Sequence, residues 1–198
     1  MPSTGGQRTR IIRLTESDWE QFAHLRLRAL SDAFGTGGAQ YLTESRFTPA
    51  SWQQRLRDHA QFALFVGADR SATSDVGADR SATSDVGADR SATSDVGAHR
   101  SATSDTTDRP AGLVAAHRER PDTVYLYSLW LDPRVRGRGL ARRLVGTALD
   151  WARRSGVRTV TLRMAADNSV ARSLYEGFGF TEVPGDGPGE VGMELSFG

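Results

Sequence analysis

The spacing of apolar residues divides this chain into short strands and amphipathic helices. Residues 10–14, Arg-Ile-Ile-Arg-Leu, fit a first strand. Thr15, followed by Glu16 and Asp18, is placed to cap a helix with acids in its first turn. Trp19, Phe22, Ala23, Leu25, Leu27, Ala29 and Leu30 give that helix an apolar side to about residue 30. Residues 31–48, with Gly35, Gly37 and Gly38, read as a loop. Pro49 suits the first turn of a second helix carrying Trp52 and Leu56 and reaching His59 and Ala60. Phe62, Leu64 and Val66 then alternate with Ala63 and Phe65, a second strand over 61–66.

The pattern stops at residue 66. Residues 66–105 are four copies of Val-Gly-Ala-Asp-Arg-Ser-Ala-Thr-Ser-Asp, with His99 replacing Asp in the last. Each copy offers one Val and two Ala, too little to offset the entropy of ordering it. A disordered loop lengthened by duplication is expected. The sharper alternative is a β-solenoid or calcium-binding repeat, but the Gly-Gly-x-Gly-x-Asp pattern is missing.

Strand signals resume over 111–117, and Arg118 to Asp122 read as a turn. Val124, Tyr125, Leu126, Tyr127, Leu129, Trp130 and Leu131 predict a buried fourth strand, stopped by Pro133, which cannot donate to a ladder. From residue 140, Leu140, Leu144 and Ala148, with Ala141, Val145 and Ala152, mark one helix face and leave Arg142, Arg143, Arg153 and Arg154 outside. A fifth strand over 157–164 follows that helix, so it is expected parallel to the fourth. A short helix over 168–178 and strands over 180–183 and 190–197 complete the order. The order β α α β β β α β α β β predicts a single mixed α/β (α+β) domain on one central sheet. It spans residues 9–198 and is interrupted by the 66–105 insertion, with residues 1–8 a flexible N-terminus.

Between the fourth strand and its helix lies Arg134-Val135-Arg136-Gly137-Arg138-Gly139. Glycines without a Cβ let a ligand approach the backbone. The first N–H groups of the helix lack intrahelical partners and sit at the positive end of its dipole. With three arginines beside them, this is a phosphate site by its chemistry; a plain strand–turn–helix with a solvated basic turn is the alternative.

Composition narrows the field. A chain of 198 residues with a formal net charge of +1 suits one domain and argues against a dedicated nucleic-acid surface. There is no cysteine, hence no disulfide, thiolate nucleophile or Cys-bound zinc; no metal is expected. There is also no lysine. No long apolar run or signal-peptide core is present, so a cytoplasmic protein without a membrane partner is expected.

Two segments give the chain a resemblance to the GNAT superfamily of N-acetyltransferases. One is Arg134-x-x-Gly137-x-Gly139 after Leu131-Asp132-Pro133; the other is Asn168-x-x-Ala171-x-x-x-Tyr175-x-x-x-Gly179-Phe180. The order of elements fits nearly the whole chain, with the repeat as the departure. The resemblance implies a sheet splayed between strands four and five and acetyl-CoA as donor. The donor's pyrophosphate would lie on Arg136, Gly137, Arg138, Gly139, Leu140 and Ala141, with Arg134 beside them, and its pantetheine arm along Leu129, Trp130 and Leu131. Asn168 would bind the arm or the far end, and Tyr175 would face the sulfur. It also implies a small-molecule or protein amine as acceptor, and its members are commonly homodimers.

The chemistry needs no enzyme nucleophile, because the amine attacks the thioester directly. It does need a base, since an amine with a pKa of about 10.4 is almost all protonated at pH 7. Glu44 is named for that role because the loop between the first helices helps form the acceptor site in this superfamily. Glu16, Asp122 and His117 are other options, His117 reading first as a surface histidine. Two other functions stay open: a catalytically inactive acyl-CoA-binding sensor, and a nucleic-acid-binding module using the arginines of 134–143 with Tyr125, Tyr127 and Trp130 stacking on bases.

Overall fold

The structure, a computed structural model, describes residues 8–67 and 108–198. Strand β1 (Thr9–Arg13) leads through a 3-10 turn (Glu16–Asp18) into helix α1 (Trp19–Phe34). Thr15 and Asp18 form the cap: the Thr15 N–H and hydroxyl both donate to Asp18 Oδ2, at 2.7 Å. Helices α2 (Ala39–Glu44) and α3 (Pro49–Asp58) precede strands β2 (Ala60–Val66), β3 (Arg109–Arg120) and β4 (Thr123–Leu131). Helix α4 (Leu140–Arg154), strand β5 (Thr159–Ala165), helix α5 (Ser169–Glu176) and strands β6 (Thr181–Pro184) and β7 (Glu190–Ser196) follow.

The seven strands form one sheet in the order β1-β2-β3-β4-β5-β7-β6. All neighbours are antiparallel except β4 and β5, which run parallel with α4 as the crossover, as expected for strands separated by a helix. Two apolar cores lie on its faces. Leu140, Leu144, Val145, Ala148, Leu149 and Ala152 of α4 pack on one face with Phe62, Leu64, Val124 and Leu126. On the other, Phe22 and Leu25 of α1 and Trp52 and Leu56 of α3 pack on Ala63, Phe65, Leu113 and Trp130. Every residue of β2 is buried, which explains its unbroken apolar run: both of its faces are covered.

Two expectations are corrected. Residues 31–48 are not a loop: α1 continues to Phe34, where Gly35 turns the chain at φ +71°, and α2 occupies Ala39–Glu44. Strand β3 starts two residues before Ala111 and runs three past His117. Of the repeats placed at 66–105, only Val66 and Gly67 belong to the described residues. Val66 ends β2, and the Gly67 N–H donates to the Arg8 carbonyl at 2.8 Å. The expectations of a disordered insertion and of a flexible N-terminus otherwise lie outside the described residues.

One irregularity shapes the fold. Leu113 pairs with Trp130 and Ala115 with Tyr127, so β4 carries one residue more than β3 across this stretch. That is a β-bulge, and its residue Ser128 sits at φ +57°, a left-handed conformation unusual for a residue with a side chain. Already before the bulge, β4 parts from β5: only Thr123, Val124 and Tyr125 pair, with Thr159, Val160 and Thr161. Strand β5 keeps its ladder with β7 to Ala165.

Opposite the end of β4, Gly112 is packed so tightly that an added Cβ would meet the Leu131 side chain and lie 3.1 Å from the Trp130 carbonyl oxygen. Gly112→Ala is therefore expected to destabilise the protein by about 1–3 kcal/mol, read by chemical denaturation. A neutral result would mean that β4 shifts freely at this point.

Candidate active site

The cleft opened by the splay has a volume of about 460 Å³. Leu129, Trp130 and Leu131 form its β4 wall, and Asn168, Val170, Ala171 and Leu174 its α5 wall. Arg136, Gly137, Gly139, Leu140, Ala141 and Arg142 close its end at the start of α4. Past Tyr125 the facing edges of β4 and β5 have no ladder with each other, so an extended ligand can pair with them as a strand does.

The start of α4 is built for an anion. Gly137 and Gly139 take φ +75° and +70°, and a Cβ at either would point into open space. Gly139 is the N-cap and no side chain caps the helix, so the first-turn N–H groups face the cleft end. These residues fit a phosphate group through backbone N–H groups and the helix dipole.

The arginines contribute differently from the sequence expectation. Arg134 turns to the buried Asp132, with Nε 3.1 Å from Oδ1, and does not line the cleft. Asp132 also receives Arg109 at 3.0 Å and Arg28 at 3.4 Å. Burial pushes the Asp132 carboxyl up, but these partners, Arg134 foremost, outweigh it and hold it below the usual range. Arg136 does line the cleft, yet its Nε donates to the Leu131 carbonyl at 2.9 Å and its guanidinium to Asp32 at 2.6 Å. Asp32 also accepts from the Trp130 indole at 2.8 Å. Arg136 thus ties the phosphate turn to α1 and to the end of β4. Arg138 is not among the residues lining the cleft.

On α5, Asn168 is the N-cap: its Oδ1 accepts from the Ala171 N–H at 3.0 Å. That fixes its amide nitrogen as the group left to meet a ligand. Tyr175 is 7% exposed and packs edge-on against Phe180 at 5.5 Å. Its hydroxyl is pushed up to about 12 by burial, with Tyr125 adding to the shift. Arg142, unremarked in the sequence beyond its exposed position, reaches from α4 to the Gly177 carbonyl at 2.8 Å and stacks on Phe178 at 4.6 Å. It clamps α4 to the end of α5 across the cleft.

Glu44 is placed elsewhere. It is not a loop acid but the buried last residue of α2. Its oxygens receive Arg26 twice at 2.9 Å, Arg55 at 2.8 Å and Gln40 at 3.2 Å. Burial raises its pKa, but Arg26 and then Arg55 overcome that and hold the carboxyl below its usual range. Three hydrogen-bond donors and a second guanidinium at ion-pair distance surround one carboxylate, which suits an anchor and not a proton acceptor. The remaining Arg26 nitrogen donates to Ser128 Oγ at 2.7 Å, so the anchor reaches the β4 bulge. Among the other candidate bases, Glu16 is exposed and paired with Arg57 at 2.5 Å. Asp122 lies in the β3–β4 turn, at the end of β4 away from the cleft. His117 lies on the α1–α3 face beside His59. Among the described residues, no group of three or more His, Asp or Glu could hold a metal ion, and no helix is long and apolar enough to cross a membrane.

Glu44→Gln leaves Arg26 buried without its counter-charge and is expected to destabilise the fold by about 3–5 kcal/mol in denaturant titration at neutral pH. Because the Glu44 pKa is depressed on folding, its stabilisation is present above the unfolded value of about 4.3 and is lost as pH falls below it. The difference between wild type and Glu44→Gln should therefore shrink on acidification. A difference that stays constant with pH would show that the charge is not what is being lost.

Comparison with known proteins agrees with this geometry. The sequence profile of the Acetyltransferase (GNAT) family matches residues 80–180. A mycothiol acetyltransferase from Beutenbergia cavernae is 48% identical over 58 residues, which cover 29% of this chain and 20% of that protein. The N-alpha-acetyltransferase RimI from Mycobacterium tuberculosis is 38% identical over 73 residues, 37% of this chain and 44% of that protein. The matched stretches thus span less than half of either relative. In structure, the PaiA N-acetyltransferase from Thermoplasma acidophilum, solved with coenzyme A, superposes with a TM-score of 0.61 at 15% identity, over 96% of this chain and 99% of that one. A domain from Methanocaldococcus jannaschii also gives 0.61, at 13% identity, over 97% of this chain and all of that one. With its own sheet, splay and glycine-capped helix agreeing with a family profile that covers just over half of its length, the chain belongs to the GNAT acetyltransferase family.

Proposed function

We propose that this protein transfers an acetyl group from acetyl-CoA to a primary amine. The observation that carries this reading is the cleft itself: unpaired strand edges lead directly to an uncapped helix N-terminus. An extended amide-bearing arm and a pyrophosphate are the two groups such a site suits, and they occur together in coenzyme A. Bound there, the donor supplies an activated thioester carbon.

The residues then divide the work. First-turn N–H groups of α4 hold the pyrophosphate. Leu129, Trp130 and Leu131 pair with the arm through backbone groups, and a β4 N–H past the bulge faces the thioester oxygen as negative charge develops on it. Asn168, fixed by its cap, holds the arm from the α5 side. Tyr175 faces the leaving sulfur. With its pKa near 12, it stays protonated, but full proton transfer to a thiolate whose acid has a pKa of about 8.5 is uphill by roughly 5 kcal/mol. Its contribution is a hydrogen bond to the developing thiolate. The acceptor is a primary amine of a small molecule or a protein. The stacking role of Tyr125, Tyr127 and Trp130 on bases loses support, because Trp130 is buried and both tyrosines pack against histidines.

Release of free thiol from acetyl-CoA against a panel of amines tests the reading, and thiol release with none of them would refute it. Gly139→Asp puts a side chain and a negative charge into the open space before α4. It should weaken acetyl-CoA binding by about tenfold or more in calorimetry, since one like-charge contact near a surface costs on the order of 1–4 kcal/mol. Tyr175→Phe keeps the ring against Phe180 and removes the hydroxyl. Turnover should fall about tenfold to a hundredfold with acetyl-CoA affinity little changed, the size of one charge-directed hydrogen bond. Unchanged turnover would mean that another group serves the sulfur.

A further inference from the structure

His59, His117, Tyr125 and Tyr127 gather on the α1–α3 face of the sheet, where β4 and β5 begin to part. The His59 ring lies 5.0 Å from His117 and 5.7 Å from Tyr127, and the two tyrosines stack at 6.2 Å. Tyr127 immediately precedes Ser128, the bulge residue. Tyr125 is the last residue of β4 paired with β5, so the cluster stands where the cleft begins. None of these side chains lines the cleft.

Its hydrogen bonds have a direction. Tyr127 Oη lies 2.5 Å from His59 Nδ1 and 3.3 Å from the Gln61 amide nitrogen. An amide nitrogen only donates, so the Tyr127 hydroxyl accepts from Gln61; with its own proton directed at His59 Nδ1, one of its two lone pairs stays open. That direction requires the neutral His59 tautomer with its proton on Nε2. Both histidines are partly exposed, so water reaches them.

The geometry points to Tyr127 and His59 as the proton exit for the acceptor amine. An ammonium at Tyr127 Oη gives that oxygen one N–H proton while the hydroxyl proton passes to His59 Nδ1, and the Nε2 proton leaves to solvent. The neutral nitrogen attacks the thioester carbon, the C–N bond forms, and the C–S bond breaks with its electron pair on sulfur. The nitrogen loses a second proton, the thiolate takes one up, and one proton per acetyl group is released overall. This rests on the acetyl-transfer reading. Tyr127 is the residue that touches the substrate; His59 acts through it.

The surroundings suit the roles. Burial lowers the His59 pKa, His117 and Arg55 lower it further, and Asp58 opposes them, so the ring is neutral at pH 7 and able to accept. Burial raises the Tyr127 pKa, against Gln61, Arg55 and Arg26, so the hydroxyl keeps the proton it must pass on.

The test is the pH profile of kcat/KM for an amine acceptor at saturating acetyl-CoA, from about pH 6 to about pH 10, spanning the histidine and amine ranges. His59→Gln and Tyr127→Phe should each lose on the order of a hundredfold at pH 7. The loss should close towards the amine's own pKa of about 10.4, where deprotonation needs no relay. Acetyl-CoA affinity should stay at the wild-type value. A loss of equal size at every pH, or no loss, would overturn the relay. Imidazole ¹⁵N spectra of the unaltered protein supply a readout independent of turnover and of variant folding. A proton on His59 Nε2 supports the relay, and a proton on Nδ1 at neutral pH overturns it. Wild type that releases no thiol with any amine would defeat the acetyl-transfer reading itself. Wild type that turns over while both variants keep its profile would defeat the relay alone.

Discussion

Glu44 and Arg26 carry full charges at a depth where neither would be tolerated alone. Their mutual hydrogen bonds make the pair acceptable, and the pair in turn spends its last donor on Ser128. Holding a serine in left-handed backbone costs about 1–3 kcal/mol, and such a residue persists only where its surroundings over-determine it. Here an ion pair joining α1 and α2, with Arg55 of α3, presses on the strand from outside the sheet. The ladder between β4 and β5 ends at Tyr125, shortly before this fixed bulge, and the cleft wall of Leu129 to Leu131 follows directly after it. A buried ion pair seldom improves stability over apolar packing. What this one supplies is a single defined position for a strand edge.

That dependence explains why some of the site could be read from sequence and some could not. The Gly-Arg turn, the amphipathic face of α4 and the Asn168 cap are local: each is written within a dozen residues, and each lies where the periodicity and the motif put it. Helix α2 is the opposite case. Ala39 to Glu44 show no apolar stripe, and Leu42 is 46% exposed, so nothing in the segment announces a helix. Its terminal acid is drawn in by arginines 18 positions earlier and 11 later. The bulge depends on a contact between residues 102 positions apart. Arg134 and Arg136 were legible as charges but not as directions. Acids beside them, the buried Asp132 and the exposed Asp32, decide where they point, and neither acid is marked by any local pattern.

The sheet separates two kinds of chemistry. On the α4–α5 side the groups are backbone amides and a helix terminus, suited to fixed negative charge and to an extended arm. On the α1–α3 side they are imidazoles and phenols, suited to moving protons. The parting of β4 and β5, which starts just past Tyr125, is the place where the two sides meet. Desolvation shapes both: it keeps Tyr175 and Tyr127 protonated and keeps His59 neutral, so each group holds the state its position requires.

Val66 and Arg109 are partners on one rung of the β2–β3 ladder, so the chain leaves the sheet and returns to it at adjacent points. Beyond that rung, the Gly67 N–H is bound to Arg8 and Asp108 is paired with Arg10. Strand register at the exit is thereby set by the first two residues of the repeat segment together with Arg8, Arg10, Asp108 and Arg109. The ends of the two strands are thus held together on the sheet side, far along the chain from the glycine turn at the start of α4.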